Sequence, residues 1–235
     1  MAYASPLSNA PVITADEDTR GAFLVRVYQH VALAVLAFMA FETVLFMVGA
    51  AEGLYNLISG SSAIWLLILG GFMVVQWLAS QSAHNLANPG MQYAGLFGMA
   101  GAEALIFAPF LYMVFNTQGE GAGTVAQAAV VTVAGFIGLT IVGMITRKDL
   151  SFMRPMIMFG GIMALVLIGA AVLFGLNLGL WFSLGMVALT GASILYQTQN
   201  IIRTYPAWAH VGAAVSLFAS LMTMFWYVLR IFSRR

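Results

Sequence analysis

The chain alternates between long apolar stretches of about 20 residues and short polar breaks. Within each stretch the apolar residues are continuous and do not alternate with polar ones, as they would in the strands of a membrane β-barrel. Each stretch therefore predicts a helix long enough to cross a lipid bilayer. We count seven of them, at about 27–50, 63–83, 91–115, 126–145, 155–174, 178–202 and 210–232.

The fifth and sixth stretches are separated by only a few residues. No charged residue occurs between Pro155 and Ile202. A single helix of that length would be about twice as long as a bilayer is thick, so the segment must contain two crossings. The Gly-Leu-Asn-Leu-Gly sequence at 175–179 predicts the tight turn that joins them into a hairpin.

The first residues of the chain differ from the rest. They are polar, hold Pro6 and Pro11, and end in the acidic cluster at 16–18. They lack the apolar core of a cleavable signal peptide, so we expect the first apolar stretch to remain in the membrane as an anchor. We predict a flexible polar tail over residues 1–22, with at most an acidic helix start, followed by a transmembrane domain over residues 23–235.

The composition indicates which fold class these seven stretches form. Of the 235 residues, 62% are hydrophobic and only 7% are charged, whereas soluble domains carry about 25% charged residues. We therefore predict an all-α polytopic membrane protein, a seven-transmembrane-helix bundle whose first partner is the lipid bilayer. The net charge of +1 and the lack of a basic run give no reason to expect a nucleic-acid partner. Because cysteine is absent, disulfides and thiolate chemistry are excluded.

The positive charges predict an orientation. Seven crossings place two groups of Lys and Arg at opposite ends: Arg20, Arg26, Arg147, Lys148, Arg154 and Arg203 against Arg230, Arg234 and Arg235. By the positive-inside rule, the N-terminus is expected in the cytoplasm. If one segment were instead re-entrant, all nine positive charges would share one side, so the side of the C-terminus stays open.

One apolar stretch carries an unusual polar run. In the sixth, Gln197, Thr198, Gln199 and Asn200 follow one another between apolar residues. Unpaired polar groups in hydrocarbon cost several kcal/mol each, so this run predicts a face turned toward the bundle interior. At 100° per residue, the polar residues on that face are Ser193, Tyr196, Gln197, Asn200 and Thr204.

The last stretch has a matching stripe of hydroxyl groups. Its members follow an i, i+4, i+7, i+11 spacing: Ser216, Ser220, Thr223 and Tyr227. This face can meet the polar face of the sixth stretch. The alternative is that the hydroxyls bond only to backbone carbonyls of their own helix.

Two carboxylates lie inside the predicted membrane helices. Glu103 is near the middle of the third stretch, and Glu42 is about two thirds of the way through the first. A charged group at the bilayer centre costs about 2.5–3.5 kcal/mol, so such residues are candidates for an ion path or for proton sensing. The alternative is a structural acid that is protonated or hydrogen-bonded. No Lys or Arg lies in the middle of any stretch to neutralise them.

Several enzyme and receptor classes are disfavoured by what is missing. The sole lysine, Lys148, is in a loop, which excludes a retinal Schiff base. Neither a His-Glu-x-x-His motif nor a Gly-x-Ser-x-Gly elbow occurs. His30, His84 and His210 lie near the ends of stretches, where interfacial histidines are common, and are not spaced as metal ligands. We expect no catalytic residues, no metal site and no cofactor.

Three segments together resemble a known family. They are Phe-Leu-Val-Arg-Val-Tyr at 23–28, Thr-Arg-Lys-Asp-Leu-Ser-Phe at 146–152, and Leu-Tyr-Gln-Thr-Gln-Asn-Ile at 195–201. In their order and spacing they resemble the Bax inhibitor-1 family, over nearly the whole chain after about residue 19. The resemblance implies a seven-helix protein, in bacteria one of the cytoplasmic (inner) membrane. It also implies either a calcium-permeable, pH-sensitive leak or a regulator, for example one that restrains a membrane protease.

The chain departs from the family at the residues that sense pH. The resemblance implies a proton-sharing aspartate pair on the last two helices, and the positions that match it are Gln197 and Ser220 here. The arginine that pairs with those aspartates from the second helix also has no counterpart. A Gln–Ser pair can form hydrogen bonds but cannot titrate near neutral pH. Any proton sensing in the membrane would therefore depend on the carboxyl group of Glu103 or Glu42.

Two functional hypotheses follow. The first is a calcium or other cation leak with altered pH gating, whose path or proton-sensing residues are Glu103, Glu42, Gln197, Asn200, Ser220 and Thr223. The second is a non-transporting regulator that binds another membrane protein, such as a membrane protease, through its helices or its tail. The oligomeric state, the ion and the partner are left open by the sequence.

Overall fold

The computed structural model describes residues 10–85, 88–117, 120–146 and 148–234. The first nine residues of the predicted tail, Arg147 and Arg235 lie outside this part of the chain. In the described ranges the fold is all-α, with a 3-10 turn at Val12–Thr14 before the first long helix. The helices are α1 (Glu17–Met47), α2 (Ala50–Ser59), α3 (Ser62–Ala83), α4 (Pro89–Thr117), α5 (Gly121–Ile145), α6 (Met153–Phe174), α7 (Gly179–Thr204) and α8 (His210–Phe232).

Seven of these helices are long and apolar enough to cross a membrane, which confirms the predicted seven-helix bundle. The remaining helix, α2, has 10 residues and was not predicted. It follows α1 after a turn at Gly49, whose φ of 74° is the left-handed conformation that glycine adopts without strain. Seven crossings put the first and the last described residues at opposite ends of the bundle. We call the end that holds residues 10–16 the N face and the end that holds α2 the C face.

The described part of the chain begins in contact with the bundle. The helix α1 begins at Glu17, about ten residues before the predicted crossing, because the Asp16 side chain accepts a hydrogen bond from the Thr19 N–H at 3.1 Å. Val12 is buried, and its N–H donates to the Tyr205 carbonyl at 2.9 Å in the loop between α7 and α8. Residues 10–15 therefore pack against the N face through Val12, and the acidic residues Glu17 and Asp18 form the first turn of α1.

The predicted hairpin between the fifth and sixth stretches is confirmed. The helix α6 ends at Phe174 and α7 begins at Gly179. Both glycines of the turn have a left-handed backbone, with φ of 66° at Gly175 and 65° at Gly179. Because other residues rarely adopt this conformation, the two glycines allow the chain to reverse within a few residues.

The last helix forms the centre of the bundle. The helix α8 packs against α1, α3, α4, α5 and α7, and most of its side chains are buried. The most apolar helix, α6, lies at the periphery and buries little of its surface. Because lipid is as apolar as an aliphatic side chain, moving such a side chain from lipid into the protein interior gives no hydrophobic stabilisation. A helix rich in aliphatic residues can therefore stay exposed to lipid.

Candidate functional site

A polar cluster joins α7 to α8 inside the bundle. Ser220 donates its hydroxyl to the side-chain carbonyl of Gln197 at 3.2 Å, and the Gln197 amide donates to Ser193 Oγ at 3.0 Å. The hydroxyl oxygens of Ser193 and Ser220 lie 3.4 Å apart. The polar face of α7 and the hydroxyl stripe of α8 therefore meet, as the sequence predicted. We call these three residues the serine–glutamine cluster.

The other hydroxyls of α8 behave differently. Ser216 donates to the Gly212 carbonyl at 3.2 Å, and Thr223 donates to the Ala219 carbonyl at 2.8 Å. For these two residues the alternative prediction holds, since each hydroxyl bonds to a carbonyl of its own helix. Among the hydroxyls of the stripe with a hydrogen bond in the described part of α8, Ser220 is the one that bonds across to α7.

The polar run of α7 is not turned to one side. Gln199 points to the loop between α5 and α6, where its amide donates to the carbonyls of Thr146 at 3.1 Å and Lys148 at 2.7 Å. Its side-chain carbonyl accepts the N–H of Leu150 at 2.8 Å. Asn200 is half-buried one turn toward the N face from the serine–glutamine cluster, and its backbone carbonyl accepts the Thr204 hydroxyl at 2.7 Å.

The segments that carry the family resemblance meet at the N face. Gln199, in the segment at 195–201, holds the loop formed by the segment at 146–152. Tyr28, the last residue of the segment at 23–28, has its hydroxyl beside the hydroxyls of Thr140 in α5 and Thr198 in α7. Through Gln199, the segments at 146–152 and 195–201 thus hold the ends of α5, α6 and α7 together.

The Glu103 carboxylate lies at the centre of the bundle and is only 3% exposed. Gln76 of α3 donates a hydrogen bond to Glu103 Oε1 at 2.7 Å. Both side chains line a cavity of about 360 Å³ between α3, α4, α6 and α8, which we call the central cavity. Thr223 lines it near its N-face end, and Arg230 lines it near the C face.

Glu42 does not share this cavity. It is 7% exposed, and neither of its carboxylate oxygens has a hydrogen-bond partner among the described residues. It lines a second cavity of about 560 Å³ between α1, α4, α5 and α8, which we call the lateral cavity. The structure therefore separates Glu42 from Glu103 and from the serine–glutamine cluster, which the sequence hypothesis had combined.

The three histidines are closer together than their sequence positions suggest. His30 Nε2 lies 3.0 Å from the Tyr93 hydroxyl, and the rings of His30 and His210 have centroids 4.8 Å apart. His84 Nε2 lies 3.2 Å from the Tyr205 hydroxyl at the same face. Nothing in the sequence spacing signals these pairs. In the described part of the chain, no group of three or more His, Asp or Glu side chains is placed to hold a metal ion.

Chemically, the central cavity offers oxygen atoms within an apolar bundle. A carboxylate, a side-chain amide and a hydroxyl are the ligand types that hard cations such as Ca²⁺ take. These groups belong to α3, α4 and α8, so relative movement of the helices would change their spacing.

Comparison with known proteins identifies the family of the chain. The family described as inhibitor of apoptosis-promoting Bax1 matches residues 20–235. An uncharacterized protein of Campylobacter jejuni is 28% identical over 234 residues, which cover 92% of this chain and 91% of that protein. An uncharacterized protein of Pseudomonas aeruginosa is 30% identical over 153 residues, which cover 63% of this chain and 66% of that protein.

A plant relative extends the similarity. The protein LIFEGUARD 4 of Arabidopsis thaliana is 24% identical over 229 residues, which cover 94% of this chain and 88% of that protein. The family match spans every helix of the bundle, from the first turn of α1 to the end of α8. With seven helices that can cross a membrane and a family match over residues 20–235, the chain belongs to the Bax inhibitor-1 family of multi-pass membrane proteins.

Proposed function

We propose that the protein is a cation leak, with calcium as the cation, whose path runs through the central cavity. The observation that carries this proposal is the Glu103 carboxylate, buried at the centre of the bundle and lining a cavity that extends toward the C face. Carboxylates inside membrane helices are costly and commonly mark ion pathways. Gln76 in α3 and Thr223 in α8 add oxygen atoms to the lining of the same cavity.

The serine–glutamine cluster closes this path toward the N face. Ser220 precedes Thr223 by one turn of α8, so the cluster lies next to the central cavity on its N-face side. Its three hydrogen-bonded side chains hold α7 against α8. Gln and Ser do not titrate near neutral pH. The opening of this contact is therefore independent of pH, whereas a contact formed by two aspartates would depend on it. Asn200 continues the path toward the N face.

Flux measurements test the leak. The purified protein is reconstituted into liposomes that enclose a calcium indicator, and calcium entry is compared with that of protein-free vesicles. We expect entry above the protein-free level and a reduction of about ten-fold for Glu103→Gln, because the variant loses the negative charge that balances a cation in the low-dielectric cavity. The matched control is Glu52→Gln, because the Glu52 side chain, in α2, lines neither cavity. Calcium entry no faster than in protein-free vesicles would refute the leak.

We further propose that the N face lies in the cytoplasm and that the membrane is the bacterial inner membrane. Arg20, Arg26, Lys148, Arg154 and Arg203 lie at or near the N face, which supports this orientation under the positive-inside rule. The relatives from Campylobacter and Pseudomonas support a bacterial setting. The orientation can be tested by labelling single cysteines. They are introduced at Ser151 and at Asn177 in the cysteine-free chain. The Ser151 site should be protected from an impermeant reagent in intact cells.

A non-transporting regulator is the second function that an observation favours. The serine–glutamine cluster is neutral and joined by hydrogen bonds, so nothing in it responds to protons. This favours a static bundle that acts by binding another membrane protein, such as a membrane protease. Crosslinking in native membranes would then recover one stable partner, while the liposomes would show no calcium entry.

A further inference from the structure

The lateral cavity lies between α1 and α5, on the C-face side of a contact between these two helices. The rings of Tyr28 in α1 and Phe136 in α5 are in contact, with centroids 6.3 Å apart. Farther toward the C face, both helices still pack along α8, but the cavity of about 560 Å³ lies between them. Several of its lining residues, including Met39 and Val133, are exposed on the outer surface of the bundle. The cavity is therefore accessible from the lipid.

The wall of this cavity is apolar except at one point. Among its lining residues, Thr43 donates its hydroxyl to the Met39 carbonyl at 2.8 Å, and Thr132 donates to the Ala128 carbonyl at 2.7 Å. Both hydroxyl protons are thus used within their own helices. Glu42 contributes two buried carboxylate oxygens that have no hydrogen-bond partner in the described part of the chain. A buried carboxylate in apolar surroundings is stabilised by a hydrogen-bond donor, and a ligand in the cavity would supply one.

The surroundings of Glu42 favour a cationic donor. The rings of Phe38, Phe46, Phe115 and Phe225 line the same cavity, and aromatic rings attract cations. Methionines at 39, 47 and 222 add flexible, polarizable side chains that adapt to ligands of different shape. The volume falls in the range of about 300–1,000 Å³ that is typical of small-molecule sites.

We propose that the lateral cavity binds an amphiphilic primary amine, with its ammonium group on the Glu42 carboxylate and its apolar chain between α1 and α5. The ammonium supplies three N–H donors for the two carboxylate oxygens. The chain then extends along α1 from Glu42 toward Val35, a distance of about 10 Å at 1.5 Å per residue. This site does not depend on the proposed leak, because the two cavities have different carboxylates.

The position of Glu42 distinguishes a single-chain amine from a phospholipid that carries the same ammonium group. Glu42 lies five residues before the end of α1 at Met47, which is about 8 Å inside the helix end. A phospholipid headgroup that reached it would bring its phosphate into an apolar cavity that offers no cationic side chain to pair with it. We therefore assign the site to an amine without a phosphate.

Equilibrium dialysis of the full-length protein in phosphatidylcholine nanodiscs tests the assignment, with empty nanodiscs to subtract partition into lipid. The probe is radiolabelled dodecylamine, compared with dodecanol and dodecanoate. We expect one saturable site for the amine. Glu42→Gln should weaken it about 30-fold, because it removes one partner of a buried charge pair. Ala129→Phe, which places a ring in the cavity from α5 and leaves the Glu42 side chain unchanged, should weaken it as well. The control Glu52→Gln should stay within about two-fold of the unmodified protein, a difference too small to reflect a lost ion pair.

The outcomes separate the alternatives. Unchanged amine binding in both Glu42→Gln and Ala129→Phe would overturn the site. Equal or tighter binding of dodecanoate or dodecanol would overturn the choice of a cationic ligand. Loss of dodecylamine binding when the nanodiscs contain phosphatidylethanolamine would show that a phospholipid headgroup occupies the site instead. Retention of binding in those nanodiscs, together with the loss in Glu42→Gln, supports the proposal.

Discussion

Gln76 of α3, which is half-buried, donates a hydrogen bond of 2.7 Å to the buried carboxylate of Glu103 in α4. The two helices pack closely along much of their length. This bond therefore satisfies one oxygen of the buried carboxyl and fixes its direction toward the central cavity.

Replacement of Gln76 tests the strength of this contact. We expect Gln76→Leu to lower the free energy of unfolding by about 1–3 kcal/mol, because the buried Glu103 oxygen loses its donor. The measurement is an unfolding titration in mixed micelles. The control is Gln81→Leu, the same substitution at an exposed position of the same helix, which should change stability by less than about 0.5 kcal/mol. Equal effects of the two substitutions would contradict the role of the hydrogen bond.

Gln199 should control the order of the loop between α5 and α6. Its side chain makes three hydrogen bonds to that loop, at about 1 kcal/mol each, so Gln199→Ala should cost about 2–4 kcal/mol. Amide hydrogen exchange in the loop should become faster while the centre of α8 stays protected. The same substitution at the exposed Gln127 of α5 serves as the control. A loop that exchanges at the same rate in Gln199→Ala and Gln127→Ala would refute this anchor.

The same loop predicts a pH dependence outside the membrane. The backbone N–H of Ser151 lies 2.9 Å from Asp149 Oδ1 and lowers the pKa of that carboxyl below 3.8, and Arg203, at 3.2 Å from the same oxygen, acts in the same direction. Because the folded pKa is the lower one, this stabilisation is complete above pH 3.8 and is lost as the pH falls through the folded value.

The Asp149→Asn variant tests this pH dependence of stability. The variant should melt below the unmodified protein at neutral pH, and the difference should shrink as the pH is lowered below 3.8. High salt should also reduce the difference, since Asp149 is exposed and its pairing with Arg203 is screened. A difference between the two melting temperatures that does not change with pH would contradict the assignment.

Gly95 marks the closest approach of α4 to α3. A methyl group at this position would lie 2.5 Å from both the Ala79 carbonyl oxygen and the Ala83 nitrogen, which are backbone atoms that cannot move aside cheaply. Gly95→Ala should therefore destabilise the protein by about 1–3 kcal/mol. At Gly98 on the same helix, a methyl group would lie 4.0 Å from the Ala79 side chain. Gly98→Ala should be neutral, and comparable losses at both positions would refute this packing.

The sequence determined the number of crossings, because the length and apolarity of a segment alone decide whether it can span a bilayer. It also determined the α6–α7 hairpin, since a charge-free segment twice the bilayer thickness has to turn, and Gly175 and Gly179 mark the place. The meeting of Gln197 with Ser220 was predictable too, because polar groups at helical spacing on consecutive helices have few other partners in hydrocarbon.

The tertiary structure alone decided which helix is central and where each remaining polar group finds its partner. Hydropathy does not separate α8, at the core, from a lipid-facing helix, since lipid and protein interior are equally apolar. Gln199 turns to the α5–α6 loop although it is two residues from Gln197, because a helix rotates successive side chains by 100° toward different neighbours. Glu42 and Glu103 look alike in the sequence, as acids inside apolar helices, but they line separate cavities. The rotation and tilt of α1 and α4 against α8 decide what each carboxyl group faces. No local sequence pattern encodes that rotation and tilt.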